Sequence, residues 1–137
     1  MLEIVNPPEL ARAVGFSHGV VATGGRMLFL AGQIAADGEG RIVAVGDVVG
    51  QYEQVLHNLR AVVEAAGGTM GRIVKLTIFV RDRDAYKARL KDLGGVHRAF
   101  FGGYYPATAL FEVARFFEDD ALIEIEGIAV LESEGPG

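Results

Sequence analysis

Between Asp47 and Val80 the apolar residues change their spacing once. That switch restricts the chain to folds that set a long amphipathic helix beside a buried strand. Val48, Tyr52, Val55, Leu59, Val62 and Ala66 recur at intervals of three and four, which marks one face of a helix. Asp47 is the expected N-cap, because its carboxylate can accept from an orphan backbone N–H. Gly67-Gly68 is the expected stop, since a left-handed residue there carries no Cβ strain. Over Ile73–Val80 the pattern alternates: Ile73, Lys75, Thr77 and Phe79 on one side, Val74, Leu76, Ile78 and Val80 on the other. This predicts a strand with one wholly apolar side. Helical spacing returns over Asp82–Phe101 through Tyr86, Leu90, Leu93, Val96, Phe100 and Phe101. Gly94-Gly95 is the expected place for a bend, each glycine costing about 0.8–1 kcal/mol relative to alanine.

The flanking segments read as extended. Residues 1–15 contain Pro7 and Pro8 and little periodicity, so an extended lead-in is expected. Two apolar runs, His18–Thr23 and Met27–Ala31, are separated by Gly24-Gly25, which predicts a hairpin. A turn at 37–40 leads to a short apolar stretch at Ile42–Val45. After Pro106 come two predicted strands, Thr108–Phe116 and Leu122–Leu131, and then an acidic tail, Glu132–Gly137, expected to fray. The order β-β-(β)-α-β-α-β-β implies an α+β two-layer sandwich with two helices on one face of a mixed sheet. No Gly-rich fingerprint opens a helix and no phosphate-binding loop is present, which argues against a doubly wound nucleotide fold.

Composition narrows the function. With 137 residues, half of them hydrophobic, the chain reads as one domain with a buried core, residues 1–137. The absence of cysteine excludes disulfides, thiolate nucleophiles and Cys-ligated metals. A formal net charge of −5 argues against binding a phosphate backbone and so against nucleic acid as a partner. No apolar run is long enough for a bilayer and the N-terminus lacks a signal-peptide pattern, so no membrane association and a cytoplasmic location are expected.

In the last strand, Ile123 and Ile125 oppose Glu124 and Glu126. If the isoleucines face the helices, the averted face mixes Leu, Ile, Phe79 and Thr77 with a few charges. Such a face is too apolar for water and too charged for a core. It suits a subunit interface, and a homo-oligomer is expected.

Gly-Phe-Ser-His-Gly-Val (15–20), Ala-Gly-Gln-Ile (31–34), Val-Val-Glu-Ala-Ala-Gly (62–67), Ile-Val-Lys-Leu-Thr-Ile-Phe-Val (73–80), Tyr-Pro-Ala-Thr (105–108) and Glu-Ile-Glu-Gly-Ile-Ala-Val (124–130) follow in order along nearly the whole chain. Together they resemble the RidA (YjgF-type) family. The resemblance implies a chorismate-mutase-like fold, a homotrimer with small-molecule clefts between subunits, and cofactor-free hydrolysis of reactive enamines and imines, such as 2-aminoacrylate, to 2-keto acids and ammonia.

On that resemblance Glu124 matches the glutamate that positions or activates the attacking water, for which a carboxylate base is worth roughly 10²–10⁴-fold. Its alternative role is an interface glutamate paired with Lys75 or an arginine; for Glu126 the structural role is favoured. Thr108 departs from the family. Deaminating members carry an arginine there that clamps the substrate carboxylate, and its loss in a buried site should cost such a substrate about 2–5 kcal/mol. Arg115, seven residues on, is expected on the opposite face, in a structural ion pair. Phe16 replaces a common tyrosine, Leu110 a cysteine or small residue, and Gly94 an asparagine of some members. Gly32 is expected either to let a ligand approach the backbone or simply to pack. His18 lies beside the cleft segment, where an imidazole could move protons or serve structurally. His57 and His97 read as surface or satisfied helix residues. Tyr104 and Tyr105 either wall the cleft or pack a loop. Thus Phe16, Gly32, Thr108 and Leu110 are expected to bind substrate and Glu124 to act on it, with no metal and no cofactor. The expectation is an imine hydrolase of altered specificity. The alternative is a non-catalytic trimer that binds a small metabolite, and ribonuclease activity is the weakest reading.

Overall fold

A computed structural model describes residues 2–133. Two short strands, β1 (Leu2–Val5) and β2 (Gly19–Ala22), pair antiparallel with each other. Strand β3 (Arg26–Gln33) follows, then helix α1 (Val48–Ala65), a 3₁₀ turn at Met70–Arg72 and strand β4 (Ile73–Val80). Helices α2 (Arg83–Lys87) and α3 (Leu90–Phe101) lead to β5 (Ala107–Glu112) and β6 (Ile123–Leu131). The larger sheet has the order β3-β6-β4-β5, with β4 and β5 parallel and the other pairs antiparallel. The fold is α+β, with three α-helices among the described residues and a mixed sheet.

Helix α1 forms where its spacing predicts. The Asp47 carboxylate accepts from the backbone N–H of Val49 and Gly50, both at 3.1 Å. At the other end Gly67, at φ +89°, lets its own N–H reach the Glu64 carbonyl and that of Gly68 reach the Val63 carbonyl. This is a Schellman termination. The buried stripe is rotated from the expected one. Tyr52, Val55, Leu56, Leu59 and Val63 are buried, whereas Val62 is exposed. Their partners are Leu30 of β3, Ile73, Leu76, Ile78 and Val80 of β4, Leu93 and Phe101 of α3, and Ile123, Ile125, Ala129 and Leu131 of β6. Gln51, fully buried, joins the start of α1 to β6: its amide donates to the Asp120 carbonyl and its carbonyl accepts from Leu122 N–H.

Several expectations are corrected. Gly24-Gly25 turns the chain but closes no hairpin: β2 pairs with β1, and β3 pairs with β6. The lead-in therefore contains a strand. Ile42–Val45 makes only an isolated bridge, Ala36 to Ile42. The second helical segment breaks at Ala88-Arg89, between α2 and α3, while Gly94-Gly95 lies within an uninterrupted α3. Two expected helices are thus three. A register shift between Ile73 and Lys75 turns Ile73 inward with Leu76, Ile78 and Val80, so the strict alternation holds only from Lys75 onward. Strand β5 stops at Glu112, and Arg115 lies in irregular chain, where strand parity does not apply. Among the described residues Arg115 forms no ion pair. Residues 134–137 of the tail expected to fray lie outside the described residues.

Candidate active site on two faces of one sheet

The parallel register of β4 and β5 pairs Leu76 with Thr108 and Ile78 with Leu110. Paired residues share a face, so Thr108 and Leu110 lie on the side of the sheet that the helices cover, not on the averted side. There, between α3 and the edge strand β5, a partly open cavity of about 510 Å³ is lined by Phe16, Thr108 and Leu110, together with Tyr52, Tyr86 and His97 among others. Phe16 reaches it because the neighbouring chain is tied to β5. The buried Ser17 hydroxyl donates to the Tyr105 carbonyl at 2.6 Å, and Ser17 N–H donates to the Pro106 carbonyl at 3.2 Å.

His97 anchors the inner wall. Its ring lies between those of Phe101 and Tyr105, 4.5 Å from each centroid and nearly parallel to both. Nε2 is 2.9 Å from the Tyr104 carbonyl, which can only accept, so Nε2 carries the proton. Nδ1 then presents its lone pair to the Tyr52 hydroxyl, 3.5 Å away. Burial lowers the His97 pKa, and the nearby Arg98 charge adds to this against the Tyr104 hydrogen bond. Burial raises the pKa of Tyr52 and Tyr86, so both phenols stay protonated at neutral pH. The Tyr104 hydroxyl is spent on the Ile73 carbonyl at 2.6 Å, and burial pushes its pKa up to about 12.

Glu124 occupies the other face. Its β6 neighbours Ile123 and Ile125 are fully buried among the helices, so Glu124 and Glu126 point away from them. In register it lies beside Phe79. A Cβ built on Gly32 would fall 3.0 Å from the Glu124 Cδ and 3.2 Å from its Cγ, and would meet Oε2 more closely still. Gly32 therefore leaves the ground over which the Glu124 side chain lies. Neither Lys75 nor any arginine forms an ion pair with Glu124 among the described residues. The same face exposes Met27 at 61%, Phe29 at 70% and Phe111 at 53%, and the Phe111 ring stacks on Phe79 at 6.2 Å.

One chain thus gathers Phe16, Thr108 and Leu110 at the cavity, and Glu124 with Gly32 on the reverse of the sheet. Of the residues with open roles, Gly94 and Tyr105 line the cavity. The His18 ring is held by the Ala11 carbonyl at 2.7 Å and meets Phe16 edge-on. His57 lies 3.0 Å from Arg60 on exposed surface. Tyr52, Tyr86 and His97 were not among the expected site residues. The signal for two of them was the run Tyr86, Leu90, Leu93, His97, spaced four, three and four. Among the described residues no three His, Asp or Glu side chains gather as a metal site, and no helix is long and apolar enough to cross a membrane.

Residues 7–131 match the family described as Endoribonuclease L-PSP. A RutC family protein of Pyrococcus horikoshii is 35% identical over 133 residues, covering 96% of this chain and all of that protein. The 2-iminobutanoate/2-iminopropanoate deaminase of Salmonella typhimurium is 41% identical over 109 residues, 77% of this chain and 80% of that one. Among solved structures, the Rid family protein YyfB of Yersinia pestis superposes with a TM-score of 0.85 at 34% identity, covering 95% of this chain and 98% of that one. The chain belongs to the Endoribonuclease L-PSP family, whose members also carry the names YjgF, Rid and RutC.

Proposed function

We propose that the protein is a cofactor-free imine and enamine hydrolase whose site is completed between copies of a homotrimer. In this reading the Glu124 carboxylate of one copy faces the Thr108 cavity of the next. Glu124 takes a proton from water as the water oxygen bonds to the imine carbon. The C=N electron pair moves to nitrogen, which takes up the proton held by Glu124 and then the proton of the new hydroxyl; the C–N bond breaks, and ammonia leaves as the carbonyl forms. Holding water and imine together is worth several powers of ten when the geometry is right.

The observation that carries this reading is the carboxylate of Glu124 lying over a position cleared of any Cβ at Gly32. A carboxylate lying over a bare backbone, with no ion-pair partner among the described residues, is suited to hold a water. Similarity to the Salmonella deaminase supports the reaction class. The exposed Met27, Phe29 and Phe111 around Glu124 favour burial against a second copy. The threonine at 108 favours a substrate other than a 2-imino acid, because no guanidinium lines the cavity among the described residues to hold a carboxylate.

The test is ammonia release from 2-aminoacrylate and from imines lacking a carboxylate. Release from the latter that is lost in Glu124→Gln supports the proposal, and Thr108→Arg should raise the rate on 2-aminoacrylate. No ammonia above background from any imine contradicts it. A second reading, a trimer that binds a metabolite without turnover, is favoured by the uncharged cavity; it predicts ligand-induced stabilisation with no product.

A further inference from the structure

We infer that the cavity between α3 and β5 selects an uncharged, largely apolar small molecule bearing one carbonyl-type acceptor, which the Tyr86 hydroxyl holds. This deepens the functional reading above and rests on the same cavity being the ligand site.

Charge comes first. None of the fourteen residues lining the cavity is Lys, Arg, Asp or Glu. His97, the one lining group that could become cationic, has its Nε2 proton committed to the Tyr104 carbonyl and its ring enclosed between Phe101 and Tyr105. An anion entering this space would lose water, find no opposite charge in the lining, and meet the Glu124 carboxylate that the proposed assembly brings to it.

Hydrogen bonding comes second. The Thr108 hydroxyl donates to the Pro106 carbonyl at 2.9 Å. The Tyr52 hydroxyl is turned to His97. Tyr86 has no protein partner for its hydroxyl among the described residues, although it is only partly exposed. Tyr52 and Tyr105 line the same wall, the Tyr105 ring stacked on His97, and the Tyr86 proton is free to be donated. A neutral oxygen or imine nitrogen can accept it. Phe16, Leu90 and Leu110 supply apolar surface for the rest of the molecule.

A matched pair of probes separates charge from shape. Phenylacetamide and phenylacetate differ mainly in charge at neutral pH, and ethylbenzene keeps the ring without an acceptor. By calorimetric titration of the whole protein, the amide should bind at least about tenfold more tightly than the carboxylate. Tyr86→Phe should weaken the amide about three- to tenfold and leave ethylbenzene unchanged. Thr108→Arg should reverse the preference, which locates binding in this cavity. Equal or tighter binding of the carboxylate by the unmodified protein overturns the inference, as does an unchanged amide affinity in Tyr86→Phe. If no probe binds while ammonia is still released from imines, the inference fails and the hydrolase reading stands. If no probe binds and no imine is hydrolysed, both fail.

Discussion

The side chain of Glu124 lies where a Cβ on Gly32 would be, although the two residues are on different strands, β3 and β6. Gly32 has no left-handed φ, so its need for glycine is a matter of space. Gly32→Ala should leave folding stability within about 1 kcal/mol, because a carboxylate on a flexible stem can swing aside. On the role proposed for Glu124 it should lower ammonia release about 10- to 100-fold, because the carboxylate is displaced. Chemical denaturation and steady-state assay together check this. A large stability loss would show that Gly32 serves packing.

Gly127 is a contrasting case. A Cβ there would lie 2.5 Å from the Lys75 carbonyl oxygen and 3.0 Å from Leu76 Cδ2. Neither backbone nor buried leucine can yield cheaply. Gly127→Ala should destabilise by about 1–3 kcal/mol or more, seen as a lower denaturation midpoint.

Asp47→Ala removes the side-chain acceptor for Val49 and Gly50 N–H. The expected loss is about 1 kcal/mol. At this chain length that lowers Tm by a few degrees, about 2–4 °C for a 150-residue domain. Asp47→Asn should retain most of it.

Burial lowers the His97 pKa in the folded state. The unfolded imidazole titrates near 6.5, so on acidification the unfolded chain takes up the proton first. The stability contributed by neutral His97 is present above about pH 6.5. It is lost as pH falls through the lowered folded pKa, and then levels off. His97→Gln should flatten this part of the stability curve. The raised pKa of Tyr104, to about 12, acts at the other end. There the unfolded phenol ionises first, so stability falls as pH rises above about 10. Tyr104→Phe should remove part of that alkaline loss.

The legible parts of this fold were those set by local periodicity and caps. Helix α1 and strands β4 and β6 follow from spacing and from Asp47 and Gly67, within a residue or two at their ends. Strand partnership was not local. Gly24-Gly25 has the composition of a hairpin turn, but β3 finds its partner in β6, about a hundred residues away in sequence. The break at Ala88-Arg89 has no glycine or proline to signal it, and the glycines at 94 and 95 were carried through α3. At the site, Glu124 was placed on the averted face by alternation alone. Assigning Leu110 to a face needed the β4–β5 register. Tyr86 carries the spacing of an ordinary core residue and His97 reads as a surface or satisfied helix residue, because only the cavity distinguishes a lining residue from a packed one.

The central claim is that Glu124 of one copy serves the cavity of another, and subunit complementation tests it most directly. Glu124→Gln removes the base, and Leu110→Trp fills the cavity. Each variant alone should release little ammonia from an imine that the unmodified protein hydrolyses. After unfolding and refolding together in equal amounts, the mixture should regain about a quarter of the unmodified rate, the share of interfaces in a random ring that join an intact cavity to an intact carboxylate. Mixed oligomers that form without regaining activity, or a protein that is active as a monomer, would contradict the account.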